Sequence, residues 1–213
     1  MKKLLNLILD IIFPLHCFGC QREGFWLCEK CFQELPLQPS FERFEKLLVF
    51  SVCDYENIQI KKIIKTCKFS SISELSNTLG KILIKGILKF PEILDLLKEK
   101  NQLLLIPIPL SSKRQTERGF NQSLIIAREL SAHFQIPICD QLKKENRLPQ
   151  SKVSVEKRGQ NIQDAFSWQG ANLNNYQIIL VDDVVTTGAT LSEASKILKK
   201  YGAKKIIGFA VAR

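Results

Sequence analysis

The chain has 213 residues, 45% of them hydrophobic and 24% charged, with a formal net charge of +10. That length suits one domain of ordinary size with a small appendage. The composition excludes disordered, collagen-like and coiled-coil classes, and no unbroken apolar run reaches the roughly 18–20 residues of a membrane span.

The charge is unevenly placed. Residues 1–50 hold six basic and six acidic side chains, so the whole surplus follows Ser51. Such a surplus favours polyanions, either phosphorylated small molecules or nucleic acid. A solvated lysine-rich surface is the plainer reading.

Taken in chain order, residues 1–13 predict a short amphipathic helix, because Asn6 and Asp10 interrupt the run from Leu4 to Phe13. It would dock on the body of the protein, on a partner, or peripherally on a membrane. Lys2 and Lys3 before that run imitate a secretion signal, but Asp10 breaks it and no small-residue cleavage site follows. The expected location is the cytoplasm, including the inner face of the membrane.

Residues 14–35 carry Cys17, Cys20, Cys28 and Cys31 in a C-x2-C-x7-C-x2-C pattern. Two close pairs joined by a short loop suit tetrahedral thiolate ligation of Zn²⁺, and four thiolates leave no open position, so the role would be structural. Gly19 would ease a tight knuckle. Disulfides are the alternative, disfavoured by an odd cysteine count and a reducing compartment. Cys53, Cys67 and Cys139 read as small buried hydrophobes. Leu35 to Pro39 reads as a linker, which divides the chain into a zinc module over 1–39 and a main domain over 40–213.

Strands are predicted at Leu47–Tyr55, Gln102–Leu110, Gln177–Asp182 and Lys204–Ala212. Helices are predicted at Asn57–Lys68, Ser73–Phe90, Asn121–Phe134 and Thr190–Tyr201. Nearly all-apolar strands alternating with helices imply an α/β fold, a parallel sheet covered on both faces.

The segment from Ile178 to Thr190 carries the chemistry. A buried strand ends in Asp182 and Asp183, and a small polar loop then opens a helix. Ligands of α/β sheets bind beyond the carboxyl ends of strands. A Thr-Thr-Gly-Ala-Thr loop at a helix N-terminus offers amides, hydroxyls and the positive end of the dipole to a phosphate, and Gly188 allows close approach. No Gly-Lys-Ser/Thr follows, so it is not a Walker loop. Two carboxylates beside a phosphate cradle need something other than the phosphate to face. Vicinal sugar hydroxyls meet that need, with Mg²⁺ offsetting the excess negative charge.

At these residues the chain resembles the type I phosphoribosyltransferases, whose phosphoribosyl pyrophosphate (PRPP) signature is an apolar strand, two acids and a Thr-Thr-Gly-type loop. The resemblance implies that Asp182 and Asp183 hold the ribose hydroxyls and act at the reacting sugar. It implies that Val184, Val185, Thr186, Thr187, Gly188, Ala189 and Thr190 form the 5′-phosphate loop. In that fold the loop after an earlier strand grips pyrophosphate, which points here to Lys113 and Arg114.

A second set of residues sharpens the resemblance: Ile106-Pro107-Ile108-Pro109-Leu110, Lys113-Arg114, Arg118-Gly119-Phe120-Asn121-Gln122-Ser123, and Arg147, Gln150, Arg158, Asn161 and Ala165-Phe166. With the four cysteines and Tyr55 before a lysine-rich helix, these are similar to the ComF family of competence proteins. Pro149 stands where relatives often have Thr. Three roles stay open for Arg118, Asn121, Arg147 and Arg158: a hood over the site, contacts to nucleic acid, or capping and bridging of helices.

Two functions of different class follow. The resemblance implies a competence protein that handles incoming single-stranded DNA in the cytoplasm through a PRPP or phosphoribosyl site. Lys65 and Lys68 are then DNA contacts, Tyr55, Phe69, Phe120, Phe166 and Trp168 are stacking platforms, and competence or recombination proteins are partners. The alternative is a Mg²⁺-dependent phosphoribosyltransferase that moves phosphoribose from PRPP to a base or amine acceptor that the sequence does not identify.

Overall fold

The computed structural model describes residues 15–69, 72–98, 102–144 and 166–213. The N-terminal helix expected over 1–13, and Arg147, Gln150, Arg158, Asn161 and Ala165, lie outside the described residues.

Five strands form one sheet in the order β1-β2-β7-β6-β3, comprising β1 (Ser40–Phe44), β2 (Leu47–Cys53), β3 (Leu103–Pro107), β6 (Gln177–Val184) and β7 (Lys205–Ala212). β2, β7, β6 and β3 run parallel, and β1 pairs antiparallel with β2 at the edge. The all-apolar strands are the parallel ones, as burial on both faces requires. The sequence reading does not predict β1. Its Ser-Phe-Glu-Arg-Phe pattern is half-exposed throughout and lacks the apolar run that marks the others.

One face of the sheet is covered by α2 (Ile58–Phe69), α3 (Ser73–Ile87), α4 (Pro91–Lys98) and α6 (Gln122–Phe134). Ile60, Ile63, Ile64 and Cys67 recur at helical spacing along α2 and are fully buried there. The opposite face is covered by α7 (Ala189–Lys200) and a small antiparallel pair, β4 (Leu142–Lys144) with β5 (Phe166–Trp168). Phe166 and Trp168 are core residues of this second face, which removes them as exposed stacking platforms. Between β3 and α6 lies α5 (Ser112–Arg118), which buries no side chain.

The chain therefore leaves β3 toward one face of the sheet and leaves β6 toward the other. Their carboxyl ends diverge into a crevice, the kind of switch point where open α/β sheets bind ligands.

The cysteine module packs on the same body. Its short helix α1 (Glu29–Gln33) follows Cys28, and Leu35 enters the main core with Phe18, Trp26 and Phe32 against it. Lys85 of α3 donates to the Phe32 and Gln33 carbonyls at 2.6 and 2.7 Å, closing the C-terminal end of α1. Among the described residues, no helix is long and apolar enough to cross a membrane.

Candidate phosphoribosyl and metal sites

The crevice between β3 and β6 holds a cavity of about 290 Å³. Asp182 and Asp183, the last acids of β6, lie at its floor, and Thr186 and Thr190 border one side. Ile108 and Ser111 of the loop between β3 and α5, and Arg114 in the first turn of α5, border the other. Four cations converge on it, namely Lys68, Arg114, Arg118 and Lys144.

Each acid has its own partner. The Lys68 ammonium donates to Asp183 Oδ2 at 2.9 Å, with only 10% of the Asp183 side chain exposed. Ser123 Oγ and the Asp183 amide both donate to Asp182 Oδ1 at 2.9 Å. Desolvation and the neighbouring Asp183 charge nevertheless push the Asp182 carboxyl up to about 7, against the pull of Ser123, the Asp183 amide and Lys68. One lysine therefore does not neutralise the pair, and the floor has room for further positive charge. This observation fits a divalent cation beside the acids.

The loop after β6 is built for close approach. Gly188 takes a left-handed φ of 70° and forms the N-cap of α7, with no side-chain cap on the helix. A Cβ there would lie 2.3–2.6 Å from the Phe44 side chain, so the edge strand β1 adds a steric demand for glycine. Thr186, Thr187, Ala189 and Thr190 are exposed, and Val185 is buried, donating its amide to the Ala212 carbonyl.

The stretch from Arg118 to Ser123 joins the two helices over the cavity. Gly119 ends α5 in the left-handed region, at φ 76°. Asn121 accepts from the Ser123 amide at 3.1 Å to cap α6, and its Nδ2 donates to the Ile108 carbonyl at 3.0 Å. Of its three open roles, Asn121 therefore fills that of a cap. Arg118 Nη1 donates to Gln122 Oε1 at 3.0 Å. A guanidinium only donates, so the Gln122 carboxamide turns its nitrogen away. That buried Nε2 has no hydrogen-bond partner among the described residues.

Lys113 is placed elsewhere. Its side chain is 86% exposed and pairs with Glu117 along α5, outside the cavity. Lys65 is exposed on the outer face of α2 and also does not border it. Lys144 is a cavity residue that the sequence reading does not select, and Gln122 and Ser123 enter that reading only as part of the ComF-like motif, with no role at the site. Ser123 follows a recognisable N-cap, a hint that it stands at a helix start, while Lys144 sits in a three-residue strand with no periodic signal. Burial and the Arg114 charge lower the Lys144 ammonium, with Asp182 opposing them. Cationic crowding of this kind suits an anionic ligand.

The four cysteines gather as their spacing predicts. Their sulfurs all lie within 4.8 Å of one another, and those of Cys20 and Cys28 are 3.6 Å apart. A Zn–S bond of about 2.3 Å sets tetrahedral sulfurs roughly 3.8 Å apart, so the cluster can hold a metal ion of this kind. Burial raises the Cys17 thiol, but amides of Cys28, Cys20 and Gly19 together with the Cys28 thiol bring it down to about 6. Burial and the neighbouring sulfurs push Cys31 up to about 12. Four thiolates this close need a cation. Gly19 serves the cluster by close approach, since a Cβ there would meet Cys31 Sγ at 2.6 Å; Gln21, at φ 60°, takes the left-handed turn.

Residues 121–212 match the family described as the phosphoribosyl transferase domain. The chain is 30% identical over 214 residues to Competence protein F of Haemophilus influenzae, covering 94% of this chain and 85% of that protein. It is 27% identical to DNA utilization protein YhgH of Escherichia coli K12, covering 87% and 77%. It is 29% identical to Competence protein ComFC of Bacillus subtilis, covering 74% and 61%. The acid pair and threonine loop at the β3–β6 crevice, the four-cysteine cluster ahead of them and this likeness along nearly the whole chain agree, and the chain belongs to the ComF family of competence proteins.

Proposed function

We propose that the protein acts in natural transformation, handling incoming single-stranded DNA in the cytoplasm through a site for PRPP or another phosphoribosyl-bearing ligand. The observation that carries this reading is the convergence of an acid pair, a glycine-hinged threonine loop and four cations on one cavity. The printed names of the relatives, competence and DNA utilization proteins, support the cellular role.

In this reading Asp182 and Asp183 hold the ribose hydroxyls, and the amides and hydroxyls from Thr186 to Thr190 hold the 5′-phosphate. Arg114, Arg118, Lys144 and Lys68 face the diphosphate, Arg as a planar fork and Lys as a point charge. Mg²⁺ bound with the ligand would supply positive charge that the acid pair, with Lys68 its only ion-pair partner among the described residues, lacks. Zn²⁺ on Cys17, Cys20, Cys28 and Cys31 stabilises the described part of the N-terminal module, residues 15–39, against the phosphoribosyltransferase-like domain that begins at residue 40. Competence or recombination proteins are its partners.

The test is calorimetric titration of PRPP and Mg²⁺ into the wild type and into Asp182→Asn/Asp183→Asn. Binding by the wild type alone supports a working phosphoribosyl site; binding by neither moves the role to DNA or a protein partner.

The same cavity favours a second reading, transfer of phosphoribose to a base or amine. Pyrophosphate leaves the sugar C1 as the acceptor attacks, so the protein needs no nucleophile. The acids orient the ring and stabilise its developing positive charge, while the cations stabilise the departing diphosphate. Pyrophosphate release that rises only when an acceptor is added would favour this reading.

A further inference from the structure

Two further hollows adjoin the phosphoribosyl cavity, and their charges differ. One, of about 440 Å³, shares Tyr55 and Thr186 with it. Asp54 and Glu56 border this hollow, Glu56 paired with Lys61 at 2.7 Å, and its one cation, Arg213, is already paired with Glu42, so it offers a polyanion no unpaired cation. The other, of about 660 Å³, shares Pro109, Leu110 and Lys144 with the cavity. Arg128, Lys143 and Lys144 border it against a single carboxylate, Asp140. Lys143 donates to the Asp140 backbone carbonyl at 2.9 Å, and among the described residues neither Arg128 nor Lys143 has an ion pair. The apolar part of its wall is half-buried Phe120, Leu124 and Ile125.

We propose that single-stranded nucleic acid runs from the phosphoribosyl cavity into this second hollow, its phosphates on Lys144, Lys143 and Arg128 and a base against Phe120, Leu124 and Ile125. The proposal rests on the nucleic-acid role put forward above and adds the direction of the strand. A polyanion finds Asp54 and only a paired cation on the first side, and follows the second, where Arg128 and Lys143 have no ion pair among the described residues. Inorganic polyphosphate has nothing to place on an apolar wall, whereas every base has a face that stacks on an aromatic ring.

The outer face of α2 is the competing path, since Ile58 and Phe69 are exposed at 71% and 83% with Lys62 and Lys65 between them. Its link to the cavity is Lys68, whose ammonium is held by Asp183. The hollow beside Lys144 instead shares Pro109, Leu110 and Lys144 with the cavity wall.

The experiment measures fluorescence anisotropy of a 5′-phosphorylated, 3′-labelled oligo-dT ten nucleotides long against salt. The proteins are the wild type, Arg128→Glu/Lys143→Glu and Lys65→Glu, with PRPP calorimetry on each as a control for an intact site. The double variant is expected to lose at least about tenfold in affinity at low salt. Removing two phosphate contacts flattens its log–log salt slope by about 1.4. Lys65→Glu should stay within about threefold, and tripolyphosphate should compete poorly. Loss in Lys65→Glu with the double variant unchanged overturns the path in favour of α2 and leaves the nucleic-acid role standing. Equal competition by tripolyphosphate overturns the base contact. A wild type that binds PRPP but no oligonucleotide overturns both the path and the nucleic-acid role.

Discussion

Asp182→Asn should make the protein more stable at pH 8 while removing the phosphoribosyl binding proposed above. In the folded chain the Asp182 carboxyl keeps its proton up to about pH 7, whereas in an unfolded chain it releases it near pH 3.9. Between these values the native state binds the extra proton, so stability falls as pH rises, and the full penalty stands above pH 7. A rise of roughly three on the pH scale, at about 1.4 kcal/mol each, sets a ceiling of about 4 kcal/mol. The cavity mouth leaves Asp182 partly in contact with water, and Lys68 and Asp183 share the charge, so about 1–2 kcal/mol is the expected gain at pH 8. Asparagine keeps an oxygen to accept from Ser123 Oγ and the Asp183 amide, so the local geometry survives. Urea unfolding of both proteins at pH 5, 6, 7 and 8 reads the effect directly. The gap between the two curves should be smallest at pH 5, about a third of its full size, and widen up to pH 8. A variant no more stable than the wild type at pH 8, or one with the same slope against pH, would refute the argument that this acid pair is under strain.

Further expectations concern the parts around it. Ser123→Ala removes a donor from Asp182 Oδ1; PRPP affinity should drop about tenfold at pH 7, the size of one charge-assisted hydrogen bond, and the pH at which affinity is half-maximal should move up. Gly188→Ala meets both the left-handed φ and the Phe44 ring and should cost more than about 1 kcal/mol in urea melts. Adding Phe44→Ala relieves only the steric part, so the double variant should recover some stability but not all. Metal analysis should find about one zinc per chain; Cys28→Ser or a strong chelator should release it and lower the melting temperature, and an unchanged melt after complete metal loss would refute the structural role.

Much of the site was legible because its chemistry is contiguous. Strand, acids, threonines and helix start fall within Ile178 to Thr190, and the four cysteines fall within fifteen residues, so short-range spacing alone brings the right atoms together. The apolar strands and amphipathic helices were legible for a similar reason, since burial on both faces or on one leaves a period that a single chain displays. Their ends moved by one to a few residues: β3 stops at Pro107, two residues before the end of the Ile-Pro-Ile-Pro run, and α3 stops at Ile87, after which α4 begins.

Contacts made at long range were not legible. Lys68 reaches Asp183 from a helix more than a hundred residues away, and Ser123 reaches Asp182 across 59 positions. Nothing in the local pattern of either residue distinguishes it from a solvated lysine or a helix-start serine. Lys113 and Arg114 look alike as neighbouring loop cations. α5 then turns Lys113 along its exposed side to Glu117 and leaves Arg114 at the cavity, because successive residues on a helix point about 100° apart. The edge strand β1 carries no apolar run, yet its Phe44 adds steric force to the need for glycine at position 188. Composition and spacing determined the acid pair, the threonine loop, the cysteine cluster and the class of fold, because those depend on neighbours in sequence. Which cations line the cavity and how the acids are partnered were decided only by tertiary structure, because each depends on strands and helices that fold together from distant parts of the chain.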